Sequence, residues 1–223
     1  MADFIEKSEK SENVVILHGL GKSARHMAKL ARYLEAQGYK VHNLDYPSRH
    51  FAVDRLCEFI HQKITHLIAP DEQIHFVGFS LGGLLVRLFL SSPKYRPKNL
   101  GRAVQLASPN QGTNVADFLK NRFWYKKFFG PAGQQVVTDQ TAIEHLFSPI
   151  DYELGIIAGT TSYGPLSTWI FKGKSDGIVS VEQTKVEGMK EHIEVKGTHA
   201  FFPKNKKVIE LTARFLKTGT FNS

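Results

Sequence analysis

The sequence predicts an α/β fold: a mostly parallel sheet of about six strands with helices on both faces. Three observations carry this. Short apolar, often β-branched runs alternate with stretches whose apolar residues recur every three or four positions, and strand-then-helix repetition requires crossovers between parallel strands. The strand runs are apolar throughout, as in strands covered on both faces. Finally, 223 residues with 42% hydrophobic and 22% charged content suit one domain with a full core, far from the disordered class.

In chain order, Val14-Val15-Ile16-Leu17 is the first strand, followed by the loop His18-Gly19-Leu20-Gly21-Lys22-Ser23. Met27, Leu30, Ala31 and Leu34 then repeat at helical spacing, and Gly38 sits where that helix should stop. Val41 to Leu44 is a second strand. Val53, Leu56, Cys57, Ile60, Ile64, Leu67 and Ile68 form one apolar stripe of a long helix, closed by Pro70 and Asp71. Ile74 to Phe79 is the third strand, and Leu81, Leu84, Leu85, Leu88 and Phe89 mark the helix after it. Ala103 to Ala107, Leu154 to Ala158 and Ile193 to Lys196 complete six strands. A last helix carries Val208, Leu211, Thr212, Phe215 and Leu216 on one side. The segment from Gly112 to Glu153 is long for a connection and reads as a cap-like or lid-like insert in a single domain spanning 1–223.

Several classes are excluded on composition. The single cysteine, Cys57, cannot form an intramolecular disulfide. Residues Met1 to Glu12 are mostly polar and contain no apolar stretch fit for a signal peptide, so a cytoplasmic protein is expected. No run approaches the roughly eighteen apolar residues of a spanning helix; Leu84 to Leu90, the best candidate, is interrupted by Arg87. The net charge of +8 bears on association rather than on fold.

One motif carries chemistry. Gly78-Phe79-Ser80-Leu81-Gly82 matches G-x-S-x-G, and it stands where that pattern has physical meaning, between a buried strand and an apolar helix. A turn that sharp strains its serine and leaves no room for side chains on either flank. It also exposes the Ser80 hydroxyl at a helix N-terminus, where peptide dipoles favour developing negative charge.

A nucleophilic serine needs a base, and the base an orienting carboxylate. On this architecture they should follow in the order Ser, acid, His, each in a loop after a strand. Of the two histidines beyond the fifth strand, His192 falls at the start of the sixth, at the wrong edge. His199, in Gly197-Thr198-His199-Ala200, falls just after it and is the candidate base. Asp176, in Ser175-Asp176-Gly177, is the candidate acid, with Asp151 in reserve. Oxyanion donors are expected from the backbone N–H groups of Leu81 and Leu20.

Together these residues resemble the α/β-hydrolase superfamily, in its lipase and esterase branch. The resemblance spans nearly the whole chain through His18-Gly19-Leu20-Gly21, the elbow at Ser80, Asp176-Gly177-Ile178-Val179 and Gly197-Thr198-His199. The spacing is similar to that of small bacterial lipases lacking the first strands of the full fold, which implies a minimal α/β-hydrolase sheet. Leu106 to Gly112 is similar to the loop after the strand that follows the elbow in lipase-like members, including relatives of glycosylphosphatidylinositol inositol deacylases. The resemblance implies Ser80 as nucleophile, His199 as base, Asp176 as orienter, no cofactor, and a small ester or lipid as substrate.

The insert contains Arg122-Phe123-Trp124-Tyr125-Lys126-Lys127-Phe128-Phe129. Phe123, Trp124 and Phe128 are candidates for lining an acyl pocket; plain packing and transient contact with a membrane surface are the other readings. Gly19-Leu20-Gly21-Lys22-Ser23 resembles the end of a P-loop, but the earlier glycine that pattern requires is replaced by Ile16. Nucleic acid is not expected, because the basic residues are scattered and no recognition motif occurs. Nor is a metal, since no H-E-x-x-H is present and His61 and His66 are poorly spaced. An acyltransferase, or a binding module retaining the fold without activity, are the alternatives to a hydrolase.

Overall fold

The computed structural model describes residues 12–111, 131–132, 147–162 and 173–222. Along the chain run β1 (Asn13–Leu17), α1 (Ala24–Ala36), β2 (Lys40–Leu44), α2 (Val53–Leu67), β3 (Ile74–Phe79), α3 (Leu81–Ser91) and β4 (Leu100–Leu106). Then come β5 (Leu154–Gly159), the short α4 (Val181–Thr184), β6 (Glu191–Val195) and, after a 3₁₀ turn over His199–Lys204, α5 (Lys206–Thr218). The six strands form one sheet in the order β2-β1-β3-β4-β5-β6, with every pairing parallel. The predicted α/β architecture holds. Most of the insert expected over 112–153, including Phe123, Trp124 and Phe128, lies outside the described residues.

Strand periodicity divides the core into two layers. Val15, Leu17 and Phe76 face α2 and α3, where Leu56, Ile60, Leu85 and Phe89 pack. Val14, Ile16, Val77 and Phe79 face α1 and α5, meeting Met27, Leu30, Leu34, Leu211 and Phe215. Each fully buried Leu, Ile or Phe here is worth roughly 1.5–3 kcal/mol, so most of the stability lies in these two faces. The helix α3 is buried almost all round, from Leu81 through Leu90, which explains why its sequence is apolar on nearly every side.

Connectivity then positions the site. From β1 the chain moves outward to β2, returns across β1 to β3, and proceeds the other way to β4, β5 and β6. Neighbouring β1 and β3 therefore send their following helices to opposite sides. Such a divergence marks the point beyond the C-terminal strand ends where ligands bind in open α/β sheets. The loop after β1 and Ser80 after β3 are the residues at that point.

Two strand ends differ from expectation. Ala107 is not the last residue of β4: it adopts φ +47°, turning the chain away while its N–H still donates to the Ile157 carbonyl at 2.9 Å. β6 ends at Val195 rather than Lys196 and begins at Glu191, so His192 is its second residue. As an edge strand it is polar on its outer face, which blurred its limits.

Candidate active site

Ser80 joins β3 to α3 with φ +54° and ψ −120°; a non-glycine residue held there costs about 1–3 kcal/mol. The flanking glycines make it feasible. A Cβ on Gly78 would lie 2.5 Å from the Gly82 carbonyl oxygen, and one on Gly82 would lie 2.3 Å from that of Leu17. A third glycine, Gly83, is equally constrained, since its Cβ would fall 1.8 Å from Ser108 Oγ. The turn is anchored on the far side by the Ser80 N–H, which donates to the Leu106 carbonyl at 2.9 Å.

The predicted base and acid both converge on this serine. His199 Nε2 lies 3.0 Å from Ser80 Oγ, and its Nδ1 lies 2.6 Å from Asp176 Oδ2. A carboxylate only accepts, so Nδ1 carries the proton and Nε2 presents its lone pair to the serine hydroxyl. Asp176 is fixed by its own turn: its Oδ1 accepts the N–H groups of Ile178 and Val179 at 2.9 and 2.8 Å. The two sites are also joined through backbone, the His199 N–H donating to the Asp176 carbonyl at 3.0 Å. The aspartate side chain is 1% exposed and the histidine 15%. The aspartate is thus dry and the histidine reachable.

Leu81, which follows Ser80, is the first residue of α3, so its N–H has no intrahelical acceptor. In the loop after β1, the amides around Leu20 are tied: Gly21 N–H donates to Ser48 Oγ at 2.9 Å and Lys22 N–H to the Gly19 carbonyl at 3.1 Å. His18 is fully buried and fixes this loop in three ways. Its Nδ1 donates to the Gly19 carbonyl at 2.8 Å, its ring stacks on Tyr46 at 4.1 Å, and its carbonyl accepts the Tyr46 hydroxyl. Burial, foremost, pushes the His18 pKa below its ordinary value, keeping the ring neutral beneath the loop. Neither His18 nor Tyr46 was singled out as functional from sequence, though His18 directly precedes the glycine of the predicted oxyanion loop.

A buried polar network also escaped sequence reading. Gln105 Nε2 donates to the Gly83 carbonyl at 2.7 Å, and Asn110 Nδ2 donates to Gln105 Oε1 and the Thr184 carbonyl, both at 2.7 Å. It links the start of α3 to α4, just beyond the Asp176 turn. The helix α4 had a legible signal: Ser180 and Gln183 form a capping box of the S-x-x-Q type.

The remaining candidates fall elsewhere. Asp151, the reserve acid, is exposed and paired with Arg96 at 2.7 Å. His192 Nε2 meets Thr184 Oγ1 at 2.9 Å. Cys57 packs in the α2 stripe as expected, its thiol pushed up to about 12, chiefly by burial. Near the site, His26 is pushed down to about 4, first by burial and then by Lys22, Lys204 and the neighbouring histidines. Among the described residues no group of three or more His, Cys, Asp or Glu side chains is arranged to hold a metal ion.

Comparison with known proteins agrees with this architecture. Residues 12–207 match the family described as alpha/beta hydrolase fold. The mature form of the lipase BlEst2 from Bacillus licheniformis superposes with a TM-score of 0.73 at 17% identity, over 94% of this chain and 92% of the lipase. The metagenomic carboxyl esterase MGS0156 gives 0.65 at 14% identity, over 86% of this chain and 65% of the esterase. Phospholipase PlaB from Legionella pneumophila gives 0.64 at 19% identity, over 78% of this chain and 46% of the phospholipase. No curated protein sequence matches the chain.

Proposed function

The chain belongs to the α/β-hydrolase fold family, and from that premise we propose that it is a serine hydrolase cleaving carboxylic esters through Ser80, His199 and Asp176. The observation that carries the reading is the continuous path from Ser80 Oγ through both His199 nitrogens to Asp176, at 3.0 and 2.6 Å. The names of the similar solved structures, a lipase, a carboxyl esterase and a phospholipase, favour ester and lipid substrates.

In this mechanism Ser80 Oγ attacks the ester carbonyl as His199 Nε2 takes its proton. The resulting imidazolium is stabilised by the buried Asp176 carboxylate. The tetrahedral oxyanion sits against the Leu81 and Leu20 N–H groups. His199 then gives the proton to the departing alcohol, leaving an acyl group on Ser80. Water, deprotonated by the same nitrogen, attacks that acyl group and releases the acid and free serine. An alcohol in place of water would give acyl transfer on the same machinery.

Hydrolysis of p-nitrophenyl esters of graded chain length by wild type and Ser80→Ala tests this. The wild type should turn over at least one length, and the variant should lose roughly 10⁴-fold or more. Inactivity of the wild type on every length, or an unchanged rate for Ser80→Ala, rejects the reading.

A further inference from the structure

The exposed charges of this protein are not evenly mixed. The described loops beyond the C-terminal ends of the strands, which surround Ser80, carry the exposed cations Lys22, Arg49, Lys174, Lys196 and Lys204. Asp45 is the one exposed carboxylate among those described loops, since Asp176 is buried against His199. Lys174 reaches sideways to Glu194 at 2.6 Å. At the opposite pole cations and carboxylates alternate: Arg96 pairs with Asp151, both Arg102 and Lys190 with Glu153, and Lys94 with Glu58. Even with Asp54 and Glu182 exposed in the first turns of α2 and α4 at the same end, cations outnumber carboxylates at the mouth of the site among the described residues.

Three of the five exposed large apolar side chains among the described residues lie there too. Phe201 is 67% exposed, Phe51 44% and Ile178 39%. They lie on loops after β6, β2 and β5, and so span the sheet from edge to edge. Beside Phe201 is an open groove of about 510 Å³, lined also by Lys196, Lys204, Lys206, Thr161 and Thr198. No carboxylate is among its described lining residues. Lys206 and Lys207 occupy the first turn of α5, which has no acidic residue, although Lys206 Nζ lies 3.7 Å from Glu210 one turn further on. Cations there oppose the helix dipole, an arrangement that anionic partners would relieve.

We propose that this rim docks on the surface of a membrane containing anionic phospholipids, with Phe201 inserted among the headgroups and Lys196, Lys204 and Lys206 facing their phosphates. Basic residues interleaved with exposed aromatics suit that interface. The hydroxyls of Thr161 and Thr198 add donors to phosphate oxygens. Because Thr198 directly precedes His199, docking would deliver lipid acyl esters to Ser80. The proposal deepens the ester-hydrolase reading and rests on it for the substrate alone.

The test is co-sedimentation of full-length Ser80→Ala protein with vesicles of phosphatidylcholine, or of phosphatidylcholine with phosphatidylglycerol. Binding should appear on the anionic vesicles only and weaken as salt is raised. Adding Lys196→Gln and Lys204→Gln should weaken it about 30-fold, and Phe201→Ser should also reduce it. Lys94→Gln with Lys98→Gln, at the opposite pole, should leave it unchanged. Thermal midpoints confirm that each variant is folded, and the salt dependence of the parent protein needs no further variant. Equal binding to both vesicle types, binding to neither, or indifference to the rim substitutions overturns the proposal. So does preference for a single-stranded RNA homopolymer over anionic vesicles at the same salt. Vesicle binding requires no turnover. Anionic binding by a protein inactive on every ester would sink only the ester reading, and ester hydrolysis without vesicle binding would sink only the docking.

Discussion

Two histidine–carboxylate pairs lie at opposite ends of β3, and only one of them is arranged for chemistry. At the C-terminal end, His199 Nδ1 meets Asp176 and Nε2 meets the hydroxyl of Ser80. At the N-terminal end, His75 Nε2 meets Glu12 at 3.1 Å, but Nδ1 accepts the backbone N–H of Arg102 at 2.9 Å. Both nitrogens of His75 are thus committed to structure: Nδ1 holds the start of β3 against β4, where the register shifts, and Nε2 ties it to the residue preceding β1. The ring packs so closely over Gly101 that a Cβ there would lie 2.6 Å from it. A histidine beside a carboxylate is therefore a weak sign of function. What faces its second nitrogen decides: the hydroxyl of Ser80 in one case, a backbone amide in the other.

The largest contrast between the two should come from removing each carboxylate's charge. Asp176→Asn should lower kcat by about 10⁴-fold, because the amide favours the wrong His199 tautomer, whereas Glu12→Gln should leave kcat within about twofold and lower only the thermal midpoint. A mild effect of Asp176→Asn on steady-state hydrolysis would erase the proposed distinction. A smaller contrast is expected from the glycines. Gly82→Ala should distort the elbow and cost activity as well as stability. Gly101→Ala should destabilise by about 1–3 kcal/mol in denaturant unfolding without changing the rate per folded molecule.

The smallest effect is on pH dependence. His18, His26, His42, His75 and His192 all have pKa values lowered below 6.5, with burial the largest cause in each, and His26 reaches about 4. The unfolded chain therefore binds more protons than the native one below pH 6.5, so stability is full above that value and falls as pH drops toward 4. Thermal midpoints across that window should decline, and His26→Phe should flatten part of the decline. A midpoint that rises on acidification would contradict these pKa directions.

Most of the fold was legible because it follows from local pattern. Apolar strand runs, helical stripes and the Gly78-to-Gly82 turn are each visible in a few adjacent residues. The order Ser80, Asp176, His199 was legible because the crossovers dictate which loops lie beyond the C-terminal strand ends. The rest depends on contacts distant in sequence. Gly83 reads as a helix-weakening residue until Ser108 is seen against it. Asn110 reads as a turn residue until it meets the Thr184 carbonyl 74 positions away. His75 and His199 differ through partners no spacing reveals. The limits of β4 were blurred because Leu100-Gly101-Arg102 is polar and glycine-bearing, and its end because Ala107 takes a left-handed conformation.

The central claim is that Ser80 is the nucleophile activated by His199, and covalent labelling with a fluorophosphonate, followed by mapping of the adduct by mass spectrometry, addresses it most directly. A single adduct on Ser80, lost in His199→Ala and retained in His75→Phe, is the predicted result. An adduct on another residue, or labelling of Ser80 undiminished in His199→Ala, would contradict it.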